Sequence, residues 1–179
     1  MRTKVTCFAA SSSRSSINRQ FVTCAAGLVE DAEVEILDLN DFELPLFSVD
    51  REAELGQPQP AQEFLDKIHD SDALIISFAE HNGCYSAAYK NLYDWMSRIE
   101  AKVYKDKKIV LLATSPGGRG GQSVLELALV QIPRFGGDIR GCVSMPNFYE
   151  NFDSERGVVN NSEIATELKE AIQRLLSDD

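Results

Sequence analysis

Along the chain, short runs that are almost wholly apolar alternate with longer stretches in which apolar residues recur every three or four positions. Val5–Ala9 is the first run and predicts a buried strand. The polar segment Ala10–Ser16 follows. Then Ile17, Phe21, Cys24, Ala25 and Leu28 mark one face of a helix over Ile17–Glu30. Val34, Ile36 and Leu37 predict a second strand over Glu33–Asp38, and a proline-containing connection, Leu39–Pro60, carries Leu44-Pro45-Leu46-Phe47. Phe64, Leu65 and Ile68 predict a helix over Ala61–Asp70, before a third strand at Ala73–Phe78. The loop Ala79–Ala87 leads into a helix over Ala88–Ile99. Lys108–Ala113 is a fourth strand, followed by the glycine-rich loop Thr114–Gly121 and a helix over Ser123–Phe135. Asp138–Ser144 completes five strands, and Ser162–Leu176 is a closing helix with Asn161 or Ser162 as its N-cap.

Strands that are apolar on both faces, separated by amphipathic helices, belong to a parallel sheet covered on both sides. Right-handed crossovers leave few ways to connect them. Five units fit an α/β, flavodoxin-like three-layer sandwich, with a parallel sheet in the order 2-1-3-4-5 and helices on both faces. Ligands of such sheets bind beyond the carboxyl ends of the strands, where the order reverses. The loops at that position are those after strands one, three and four.

Composition narrows the function classes. The length of 179 residues suits one domain, and 44% hydrophobic with 26% charged residues is ordinary for a globular protein. Nothing approaches the roughly 18 consecutive apolar residues of a membrane span. The apolar run near Met1 is too short for a signal peptide, so cytoplasmic location is the expectation. Cys7, Cys24, Cys84 and Cys142 lack metal-type spacing; with two histidines in the chain, no metal site is expected, and Cys7 and Cys142 read as small core residues. A net charge of −10 argues against broad nucleic-acid binding.

The three loops carry the candidate chemistry. Ser11, Ser12, Ser13, Arg14, Ser15, Ser16 and Asn18 lie between a buried strand and a helix N-terminus, where N–H groups and the helix dipole favour an anion. A plain serine-rich turn with Ser16 as cap is the simpler alternative. The chain has no GxxxxGK[ST], no GxGxxG after strand one and no Cys-x5-Arg there, which excludes a triphosphate loop, a dehydrogenase dinucleotide fingerprint and a cysteine phosphatase. In the second loop, Glu80-His81-Asn82-Gly83 suggests a tight turn that lets backbone approach a ligand, with His81 as a flat neighbour. In the third, Ser115, Pro116, Gly117 and Gly118 open a concave, N–H-rich surface.

These residues resemble the NADPH-dependent FMN reductase family, a flavodoxin-fold group that includes quinone, azo-dye and chromate reductases. Ser12, Arg14, Ser16 and Asn18 match a GSxRxxSxN-like loop that holds the FMN phosphate in that family. Ala79-Glu80-His81-Asn82-Gly83 stands where the family has Pro-Glu-Tyr-Asn-Gly along the isoalloxazine ring. Tyr89-Lys90-Asn91-Leu92-Tyr93-Asp94-Trp95 matches its Leu-Lys-Asn-x-x-Asp-Trp, and Ser115-Pro116-Gly117-Gly118 the segment beside the pyrimidine ring. Ser11, Ala79 and His81 replace Gly, Pro and Tyr of the pattern, and Arg14 to Asn18 is one residue shorter than in many members.

The resemblance implies an oxidoreductase that passes reducing equivalents from NADPH or NADH through FMN to a quinone, azo compound, metal oxyanion or free flavin, with no catalytic side chain required. It also implies a homodimer or homotetramer. Tyr89, Tyr93, Trp95 and Met96 suit either a subunit interface or the chain's own core, and Leu46 and Phe47 suit either an acceptor pocket or the core. The competing reading is a flavodoxin-type electron carrier that binds FMN without a small-molecule substrate. Arg14 and the Glu80–Gly83 turn favour the reductase. A flavin-free protein that has kept the fold is a third possibility.

Overall fold

The computed structural model describes residues 2–177. The elements run β1 (Thr3–Ala10), α1 (Ile17–Ala26), β2 (Ala32–Leu37), a 3-10 turn (Leu39–Phe42), α2 (Val49–Leu55), α3 (Gln59–Asp70) and β3 (Ala73–Phe78). A two-residue hairpin, β4 (Glu80–His81) and β5 (Cys84–Tyr85), precedes α4 (Ala87–Ile99), β6 (Lys107–Thr114), α5 (Gln122–Arg134) and β7 (Gly137–Met145). A short α6 (Phe148–Asn151), a second small hairpin, β8 (Phe152–Asp153) and β9 (Val158–Val159), and α7 (Ser162–Leu175) complete the chain.

The main sheet has five parallel strands in the order β2-β1-β3-β6-β7. With the two small hairpins set aside, this is the expected 2-1-3-4-5 order. All six residues of β3 are buried, which explains why its sequence shows no alternation. One core packs α3, α4 and α5 against the sheet through Phe8, Phe64, Ile76, Tyr89 and Leu111. The other packs α1 and α7 against the opposite face through Val5, Phe21, Ile75, Val110 and Leu168.

Three expectations change. The connection 39–60 contains the 3-10 turn and α2, which has no buried residue; Val49 and Leu55 stay exposed, so no apolar stripe announces the helix. Cys7 is fully buried, but Cys142 is exposed on the edge strand β7. Tyr89, Trp95 and Met96 are buried in the chain's own core, which removes them as interface residues.

Register positions the functional edge. Ala10 pairs with Phe78, and Phe78 with Ala113, so β1, β3 and β6 reach the carboxyl edge at one level. Ser11, Ala79 and Thr114 therefore begin or end their loops side by side.

Candidate flavin site

The loop after β1 is organised from within and from below. Ser11 is buried, and its Oγ accepts a hydrogen bond from the Ser13 N–H at 3.2 Å. Ser16 caps α1, its Oγ accepting from the Arg19 N–H at 3.3 Å. The buried Asn18 side chain ties the loop to two other strands. Its Oδ1 accepts from Ser77 Oγ at 2.8 Å and from the Thr114 N–H at 3.0 Å, while its Nδ2 donates to the Thr114 carbonyl at 3.2 Å. The Ser86 hydroxyl adds a fourth tie, donating 2.8 Å to the Ala10 carbonyl while capping α4.

Of the predicted loop residues, Ser11, Ser16 and Asn18 thus have hydroxyl or amide groups engaged within the protein. Ser12, Ser13, Arg14 and Ser15 are exposed. The N–H groups of Ser12, Arg14 and Ser15 have no acceptor among the described residues, and the first N–H groups of α1 lack helical partners in any helix. This concentration of donors on a fixed loop, with one guanidinium, fits a phosphate monoester.

The hairpin after β3 is set by its own turn. Asn82 and Gly83 have φ values of 53° and 78°, the left-handed pair that a two-residue hairpin needs. His81 is exposed at its tip, opposite Cys84. Beneath the hairpin lies an aromatic floor, with Tyr85 5.3 Å from Phe78 and 5.1 Å from Tyr89 between ring centres. Glu80 faces the other way: its Oε2 accepts from the Val124 N–H at 3.0 Å and satisfies the first turn of α5. Its carboxylate anchors the hairpin to the start of α5 and takes up that helix's positive end.

In that loop the four glycines divide into two pairs. Gly117 and Gly118 are exposed and have ordinary negative φ. Gly120 and Gly121 are buried, at φ 57° and 74°. A Cβ on Gly120 would lie 2.3 Å from Ser144 Oγ, and one on Gly121 2.7 Å from Ala113 Cβ. Close approach is therefore required by the second pair, for packing against the sheet. The first pair leaves its surface open, and the N–H groups of Gly117, Gly118 and Arg119 have no acceptor among the described residues. Ser115 Oγ donates to the Gly117 carbonyl at 3.1 Å, and Arg119 reaches Ser123 Oγ at 3.0 Å.

The Lys-Asn-x-x-Asp-Trp segment has a different task. Asn91 Oδ1 accepts from the Phe47 N–H at 2.8 Å, and Trp95 Nε1 donates to the Pro45 carbonyl at 2.8 Å. Phe47 packs edge-on against Trp95 at 5.1 Å. These contacts strap Leu44–Phe47 onto α4 and leave Leu46 79% exposed. A cavity of about 330 Å3 lies between the strap and the first loop, lined by Ser12, Phe42, Leu44 and Asn91 among others.

No side chain in these loops forms a nucleophile–base pair. Burial pushes the nearby Cys7 thiol up to about 12, which keeps it protonated. Among the described residues no cluster of His, Cys, Asp and Glu could hold a metal ion. No described helix is long and apolar enough to cross a membrane. The residues that sequence reasoning missed are Ser77, Ser86 and Thr114. Ser77 was readable as a lone hydroxyl inside an apolar strand, and Ser86 as the cap just before a helix; their partners were not.

The profile of the NADPH-dependent FMN reductase family matches residues 3–155. An uncharacterized protein of Mycoplasma pneumoniae is 29% identical over 86% of this chain and 93% of its own length. An NADPH:quinone oxidoreductase of Arabidopsis thaliana is 31% identical over 58% of this chain and 52% of its own. A 2-hydroxy-1,4-benzoquinone reductase of a Burkholderia species is 31% identical over 67% and 64%. Among solved structures, the flavoenzyme NAD(P)H:(acceptor) oxidoreductase FerB of Paracoccus denitrificans superposes with a TM-score of 0.75 over 97% of this chain and 94% of that one. Its 24% identity makes the likeness one of fold.

Proposed function

The chain belongs to the NADPH-dependent FMN reductase family, and from that premise we propose how its loops divide the work of an FMN-dependent NAD(P)H oxidoreductase. The loop after β1 holds the FMN phosphate through the N–H groups of Ser12, Arg14 and Ser15, the hydroxyls of Ser12, Ser13 and Ser15 and the guanidinium of Arg14. Ser11, Ser16 and Asn18 fix that loop without spending their side chains on the ligand. The Glu80–Gly83 hairpin and Ser115–Gly118, with the open N–H groups of Gly117 and Gly118, would hold the ring. Bound there, FMN supplies the hydride chemistry that no side chain in these loops provides.

The observation that carries this reading is the alignment of Ala10, Phe78 and Ala113, which sets the anion loop, the hairpin and the open glycine pair in one row. The open N–H groups of Gly117, Gly118 and Arg119 would offset negative charge on a bound ring at little reorganisation cost. His81 contributes a flat, exposed wall. A quinone is the acceptor class that the family and the relatives support, and Leu46, fixed by the strap beneath it, offers an apolar edge for it. Exposed Leu46 and Val49 also support self-association of the chain.

Flavin titration tests the site. FMN should bind at least about tenfold more tightly than riboflavin, which lacks the phosphate, and Arg14→Gln should remove most of that difference. Equal binding of the two flavins would overturn the placement. Anaerobic NADPH or NADH should then bleach the bound flavin and a benzoquinone restore it. Bound flavin that neither nucleotide reduces would favour the electron-carrier reading.

A further inference from the structure

Between α1 and the β8–β9 hairpin runs a groove of about 510 Å3, outside the row formed by the hairpin and the glycine-rich loop. Its apolar walls are Cys24 from α1, Leu28 from the turn that follows it, and Phe152 and Val158 from the hairpin strands. Leu28 and Val158 are 39% and 37% exposed, so the groove holds apolar carbon that neither core covers. One end is cationic. Arg14 lines it, and its guanidinium has no hydrogen bond or ion pair among the described residues. Arg19 lines it as well, with Nη1 given to Asp38 and the rest of its fork uncommitted. Two guanidinium groups against one carboxylate leave a net positive charge here, on a chain whose net charge is −10.

We propose that this groove binds an amphipathic organic carboxylate, with the carboxylate on Arg14 and Arg19 and the hydrocarbon tail along Leu28 and Val158. The volume lies within the usual range of small-molecule sites. A planar guanidinium fork matches a carboxylate with two parallel hydrogen bonds. The tail removes from water the apolar carbon that the fold leaves open. The groove does not depend on the flavin reading. Arg14 is nevertheless shared with the proposed phosphate loop, so the two ligands weaken one another.

The test titrates decanoate and, separately, decanol into the purified full-length chain, with any bound flavin recorded by its visible absorbance. Calorimetry reads affinity, and peptide mass reads protection of Cys24 from an alkylating reagent, with exposed Cys84 as the internal reference. Decanoate should bind, slow alkylation of Cys24 by about tenfold or more, and leave Cys84 unchanged; decanol should bind at least about tenfold more weakly. Val158→Asp should weaken decanoate by a similar factor with an unchanged thermal midpoint. Leu28→Glu, on a different element, supplies the same reading if that variant fails to fold. Failure of decanoate to protect Cys24, equal binding of decanol, or undiminished binding by a folded groove variant would each overturn the proposal. So would a groove variant that breaks an oligomer while decanoate leaves Cys24 unprotected, an outcome that assigns the groove to a second copy of the chain.

Discussion

The loop after β1 and the hairpin after β3 start side by side, at Ser11 and Ala79, yet they are fixed by different means. The first depends on distant partners. Asn18 joins it to Ser77 and Thr114, and Ser86 holds the Ala10 carbonyl from the start of α4. The second depends on local turn chemistry at Asn82 and Gly83, with one long-range tie from Glu80 to α5. A phosphate demands donors that do not move, because each must be aimed before the anion arrives. A ring that exchanges partners with a nucleotide and an acceptor needs a surface with one side open. Under the proposed assignment of phosphate and ring, the difference in anchoring follows the difference in task.

Substitutions can break that contrast. The largest effect belongs to Asn18→Ala. It leaves the Ser77 hydroxyl and both backbone groups of Thr114 without their partner in a buried setting, at about 1–3 kcal/mol for each unsatisfied group. A loss of about 3–4 kcal/mol, or roughly 10 °C in thermal midpoint, is the expected result. FMN affinity should fall with it. A variant that melts like the parent would show that the loop stands without its clasp.

Gly121→Ala comes next, since its Cβ would press on Ala113 at a left-handed φ. About 2–3 kcal/mol is expected by chemical denaturation, against less than about 0.5 kcal/mol for Gly117→Ala. Similar costs for both would refute the division of the glycines into a packing pair and an open pair. Glu80→Ala should cost about 1 kcal/mol, the size of a lost helix cap, while weakening flavin binding by detaching the hairpin from α5. Gly83→Ala should also cost about 1 kcal/mol through its positive φ. Its mark is a change in the KM for the acceptor, with a smaller loss of FMN affinity than Asn18→Ala causes.

Much of this was legible in the chain. Apolar runs of strand length between helical stripes specified the five-stranded sheet, because a strand buried on both faces tolerates little else. The serines beside a helix start marked the Ser16 cap and the donor-rich loop before it, and Asn82-Gly83 marked the turn, since both are local backbone requirements. The connection 39–60 was harder to read: α2 buries nothing, so it leaves no periodic trace. The aromatic residues of α4 could not be divided between core and interface, because the stripe they form is the same in either case.

What sequence alone determined, then, is the residue types each loop offers and its place at the carboxyl edge. Tertiary structure decided which side chains remain available there. Asn18 and Glu80 have the residue types of ligands, yet their polar atoms are engaged 96 and 44 residues away along the chain. A motif records that a polar group is needed. Only the packed sheet shows whether that group stays free or is engaged within the protein.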